Sequence, residues 1–159
     1  MQTHCSIAFG DGSYCFRLSM AGILAIEEKC NAGIGVVYSR VLAGRYEREG
    51  VNFGYGLQAG FGLNDVMEVC RQGLIGGNSG FVDGREIKVS DHLATHLVRT
   101  YLHPESGNPI IKAWDLAAAI LHTCLVGYNP DGEKTPDDAQ KKSPSEPGTS
   151  EAKSSAMDV

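Results

Sequence analysis

The sequence predicts an α+β fold that is mainly helical, with an N-terminal β-hairpin packed on a small bundle of about four to five helices and a disordered C-terminal tail. Three observations carry this reading. Apolar residues alternate between Cys5 and Leu18, they recur at helical spacing in later stretches, and the composition breaks after Gly127.

Cys5, Ile7 and Phe9 alternate with small or polar residues, Asp11-Gly12 is placed to supply positive backbone φ, and Tyr14, Phe16 and Leu18 resume the alternation. This predicts a hairpin, which needs helices beneath it because a lone hairpin is marginal in water. Ser19 is the expected N-cap of a helix ending near Cys30, with Ile23, Leu24, Ile26 and Cys30 on its apolar face and Glu27 and Glu28 in solvent. Asn31 to Gly35 interrupts the pattern, and a second short helix, Val36 to Ala43, is expected to end at Gly44 in the left-handed conformation. Residues 45–62 read as a loop, because Phe53, Tyr55 and Phe61 are spread among five glycines.

Helical spacing returns after Asn64, the expected N-cap, with Asp65 and Glu68 near the positive helix end and Val66, Met67, Cys70 and Leu74 on one side. Gly76-Gly77 ends that helix. Phe81 to Val89, centred on Asp83-Gly84, predicts a small hairpin, and Ser90 caps a helix running towards His103 until Pro104 stops it. Asn108-Pro109 reads as a cap and first-turn proline for the most apolar helix, Ile110 to Val126, with Ile111, Trp114, Ala118, Leu121 and Leu125 facing inward.

With 159 residues, 42% hydrophobic and 21% charged, the chain has the composition of an ordinary globular protein and is long enough to bury a core without disulfides or metals. Residues 1–127 form one expected domain. Residues 128–159 hold four of the six prolines, seven acids against four bases and no aromatic residue beyond Tyr128, so they lack the apolar surface to offset ordering entropy. A net charge of -5 argues against a nucleic-acid groove, which needs clustered cations. No apolar run reaches the roughly 18 residues of a membrane span, and Met1-Gln2-Thr3-His4 lacks the marks of a signal peptide, so a cytoplasmic location is expected. Five cysteines without a C-x-x-C pair read as reduced, buried thiols.

No cluster of reactive residues emerges from the motifs. His92, His96 and His103 share a helical stripe, yet Arg99 lies on it too and position 93 is Leu93, so the H-E-x-x-H glutamate is missing. A solvated histidine face is the expectation. Gly77-Asn78-Ser79-Gly80 is not a nucleophile elbow, Gly54-Tyr55-Gly56 lacks the context of a phosphate cradle, and Cys30 and Cys70 sit on apolar helical faces. No catalytic, cofactor or metal residue is assigned, and the pattern favours a binding protein over an enzyme.

Three stretches, taken in order, resemble a known family: Gly10 to Leu18 leading to Ile26-Glu27-Glu28-Lys29-Cys30-Asn31-Ala32-Gly33-Ile34-Gly35, then Val66 to Gly77, then Leu116 to Leu121 closing at Gly127. The Glu27 to Gly33 segment and Arg71-x-Gly73-Leu74-Ile75-Gly76-Gly77 are the most specific parts. The family is the tail assembly chaperones of gene transfer agents and related prophages, also labelled phage tail tube proteins. The resemblance implies a non-enzymatic cytoplasmic chaperone that binds the tape measure protein, a long helical polypeptide, and is absent from mature particles. It leaves contact with the tail tube protein and self-association open, and its alternative label implies a structural tail tube or minor tail component. The sequence departs from the family pattern at 45–62, at 80–89 and in its long tail. If the first of these segments faces the partner groove, Phe53, Tyr55 and Phe61 are the expected partner-binding residues.

Overall fold

The computed structural model describes residues 1–48, 51–55 and 58–130, with the backbone alone for 46–48 and 51–55. The elements follow in the order β1 (His4–Phe9), β2 (Gly12–Arg17), α1 (Met20–Cys30), α2 (Ile34–Leu42), β3 (Arg45–Arg48), β4 (Val51–Tyr55), α3 (Leu63–Gly77), β5 (Gly80–Val82), β6 (Arg85–Ile87), α4 (Asp91–Tyr101), a short 3-10 turn (Pro104–Ser106) and α5 (Ile110–Val126). The fold is α+β and mainly α, as the patterning predicts. The predicted tail lies outside the described residues from 131 onward. Tyr128, assigned to that tail, exchanges both backbone hydrogen bonds with Gln2 at 2.8 Å.

One antiparallel sheet has the order β1-β2-β5-β6. In the first hairpin Phe9 lies opposite Gly12, so the two-residue turn is Gly10-Asp11. The positive φ of +59° falls on Gly10 rather than on Asp11-Gly12, and Asp11 accepts a 2.6 Å hydrogen bond from the Tyr14 hydroxyl instead. The second hairpin turns at Asp83 and Gly84, both at positive φ, as the Asp-Gly pair requires of a type I′ turn. Residues 45–62 correct the loop expectation. β3 and β4 pair as a separate two-stranded ladder, with Arg45 opposite Tyr55 and Tyr46 opposite Gly54. Glycines and charged residues break the apolar alternation there, so the strands leave no period-two signature.

The caps account for most boundaries. Ser19 accepts from the Gly22 amide at 3.0 Å and Ser90 from the Leu93 amide at 3.1 Å, each satisfying a first-turn donor. α3 starts ahead of the expected Asn64 cap, because the Asp65 carboxylate reaches back to the Gly62 amide at 2.7 Å. α2 likewise starts at Ile34, whose amide is held at 2.9 Å by Glu27 of the preceding helix. The Asn108 side chain does not cap α5; it donates to the carbonyls of Thr100 and His103 and fastens the preceding turn.

α3 is the hub, packed against β2, α1, α4 and α5. Its glycines permit the closest approaches in the core. A Cβ at Gly76 would lie 2.1 Å from the Arg17 carbonyl oxygen and one at Gly77 would lie 1.8 Å from that of Cys15, so β2 rides directly on the helix backbone. Around this contact are buried Tyr14, Phe16, Ile26, Leu74, Ile120 and Leu121. Trp114 is buried as its spacing predicts, and its indole N–H donates to the Val41 carbonyl at 2.6 Å. Leu24 and Leu125, expected on inward faces, are 59% and 40% exposed. Leu24 points away from the α3 contact, and Leu125 lies in the last turn of α5, near where the chain leaves to pair with Gln2.

Candidate functional site

Phe53 and Tyr55 lie on β4, and their side chains are outside the described residues. Phe61 is half-buried, with its ring 4.6 Å from that of Trp114, so one face of it belongs to the core. Its other surroundings form a depression of about 460 Å³ at the start of α3, shared with Cys30, Arg40 and Leu63. The structure therefore brings Phe61 to the edge of a concave surface without freeing the whole ring.

Leu63 also borders a second groove of about 480 Å³ between α3 and α4, which adds Met67 and Val98 as an apolar floor and Lys29, Arg71, Arg99 and Glu105 at the rim. Leu63 is 53% exposed, an uncommon placement for a leucine in the first turn of a central helix. Together the two depressions set Phe61, Leu63, Met67 and Val98 among polar and charged side chains. That arrangement suits the apolar stripe of an amphipathic helix. Neither groove was legible beforehand, because each is assembled from faces of separate helices.

A polar network stiffens one wall. Glu68 Oε1 accepts from Arg71 Nη2 at 2.8 Å and from Gln72 at 2.9 Å, and Oε2 accepts from Arg71 Nε at 3.1 Å. Arg71 also pairs with Asp91 across to α4. Burial alone would raise the Glu68 pKa, but hydrogen bonds from Arg71 and Gln72 and the Arg71 charge hold it below 4.5. A carboxyl lowered on folding adds stability above its unfolded pKa, and that contribution is lost as pH falls through the lower, folded value. Thermal melting should therefore weaken on acidification below about pH 4.5. Glu68→Gln should cost about 1–3 kcal/mol at neutral pH and flatten the acid limb, a result read from melts across the pH series. An unchanged acid limb would place the responsible carboxylate elsewhere.

The reactive-residue candidates separate in space. His92 and His96 are exposed on α4, and His103 is half-buried beyond its end. Among the described residues, no three metal-capable side chains gather. Cys70 is fully buried, and burial raises its thiol pKa. Cys30 is half-buried, its pKa pushed up to about 12 by desolvation and the neighbouring Asp65 carboxylate. Neither cysteine is prepared as a thiolate nucleophile. No described helix is long and apolar enough to cross a membrane. No protein-family model matches the chain, and comparisons with curated proteins and with solved structures found no match.

Proposed function

We propose that the protein is a tail assembly chaperone of a phage or gene transfer agent, which binds the tape measure protein and keeps it soluble while the tail is built. The ordered set of family-like stretches carries the reading. Those stretches fall on the first hairpin's turn and β2, the end of α1 and start of α2, α3 and α5, and α3 packs on each of these helices and on β2. In Arg71-x-Gly73-Leu74-Ile75-Gly76-Gly77 the last two glycines make the backbone contact with β2, and Arg71 stands at the rim of the α3–α4 groove. The groove supports the reading independently, since an unassembled helical rod exposes apolar stripes that aggregate unless covered.

Coexpressed with a tape measure protein, the chain should copurify with it and increase its soluble fraction, while purified particles should lack it. Leu63→Glu should abolish copurification and leave the melting curve near that of the parent, because the Leu63 side chain is 53% exposed. Moderate salt should change little, since the floor is apolar and charges at the rim are screened. Finding the protein in particles at tube stoichiometry would replace this reading by the structural tail component.

A further inference from the structure

We propose that the α3–α4 groove of one copy takes the exposed face of α1 from a second copy, so that the chain self-associates head to tail. This goes beyond the chaperone reading. It concerns the chain alone and is tested with no tape measure protein present, so its failure leaves that reading standing.

Both halves of the contact stand on one chain. Met20 and Leu24 lie one turn apart on α1 and are 73% and 59% exposed, whereas Gly22 and Ile26, on the opposite side, are the buried residues of that helix. At about 100° per residue Glu28 continues the row and Glu27 stands beside it, which makes an apolar stripe with an acidic end. Large apolar side chains turned to solvent at helical spacing mark an interaction surface. The groove offers the complement. Leu63 and Met67, also one turn apart, form its floor with Val98, and Lys29 and Arg99 stand exposed at its rim.

Charge matches the two pieces. Among the described residues Lys29 and Arg99 form no ion pair, while Arg71 is committed to Glu68 and Asp91. Glu28 is exposed, and Glu27 keeps its charge while holding the Ile34 amide, so the acidic end of the stripe meets two uncommitted cations. Glu105, the exposed acid of the rim, is left for Arg17, exposed ahead of Met20, and His103 there is half-buried. Lys29 of the incoming α1 lies about 100° round from Glu28, on the side of its own groove. A chain cannot fill its own groove, because α1 packs on α3 with Met20 and Leu24 turned outward. Stripe and groove are different patches, so the contact is heterologous and every open assembly ends in one free stripe and one free groove.

Sedimentation of the full chain alone should show a mass that rises from 17.0 kDa with concentration between about 10 μM and about 1 mM, the range of a small interface. Two variants at exposed positions divide the contact. Met20→Gln with Leu24→Gln removes the stripe, and Leu63→Glu charges the groove floor. Each should stay monomeric alone, with a melting curve near that of the parent. Mixed in equal amounts they should form a 1:1 complex that grows no further, because one intact stripe and one intact groove remain between them. Glu28→Lys should weaken self-association by about tenfold or more. A parent still monomeric at about 1 mM would leave the groove to a foreign helix and overturn the proposal. Variants that associate alone, an inert mixture, or unchanged affinity in Glu28→Lys would overturn it as well.

Discussion

Replacing Trp114 by alanine should lower stability by about 3–5 kcal/mol, the usual cost of emptying a large buried aromatic site. The indole fills the space between α5 and the end of α2, meets the Phe61 ring at a tilt of 35° and lies beneath the Arg45 guanidinium at 5.3 Å. Its N–H also satisfies the Val41 carbonyl, one of the last carbonyls of α2, which have no acceptor role within the helix. Trp114→Phe separates the two contributions. It keeps most of the ring volume but leaves that carbonyl unpaired, so a smaller loss of about 1–3 kcal/mol is expected. Denaturant melts of both variants, read as midpoint shifts at constant slope, decide the matter. Wild-type stability in the alanine variant would remove Trp114 from the core.

Gly77→Ala should cost at least about 1–3 kcal/mol although it adds a single methyl group. The new Cβ would sit 1.8 Å from the Cys15 carbonyl oxygen, and the obstacle is backbone of β2, which cannot rotate away as a side chain can. Either β2 lifts from α3 or the end of the helix unwinds. Gly35→Ala is the matched control: that glycine lies within α2 with nothing within 4 Å of its Cβ position, so the same methyl should be neutral or stabilise by up to about 1 kcal/mol. Similar effects at the two sites would show that helix propensity, not the β2 contact, governs Gly77.

These expectations show what the sequence could and could not disclose. Both hairpins of the four-stranded sheet and the five α-helices among the described residues were legible because each writes its own periodicity or turn chemistry, from Ile7 and Phe9 to Asp83-Gly84. The β3–β4 ladder was not, since its pairing is specified by partners across the hairpin rather than by alternation within Arg45 to Tyr55. Boundaries shifted where a distant side chain did the capping, as Glu27 does for Ile34. Phe61 illustrates the limit for sites. Its place among glycines suggested a free aromatic, but only tertiary packing reveals Trp114 behind it. The grooves on either side of Leu63 and the burial of Glu68 depend on how α3 meets α4, information that no single segment holds.

The strand order also dictates a sequence of events during synthesis. Ser13 pairs with Phe81, so β2 cannot gain its inner neighbour until α1, α2 and the whole of α3 have left the ribosome. The first hairpin can close within about 1–10 μs, whereas at about 5–20 residues per second β5 emerges several seconds later. For that interval the nascent sheet presents two open edges and an uncovered apolar face. Slowing translation between β2 and β5 should therefore lengthen the time for which these edges and this face stay uncovered.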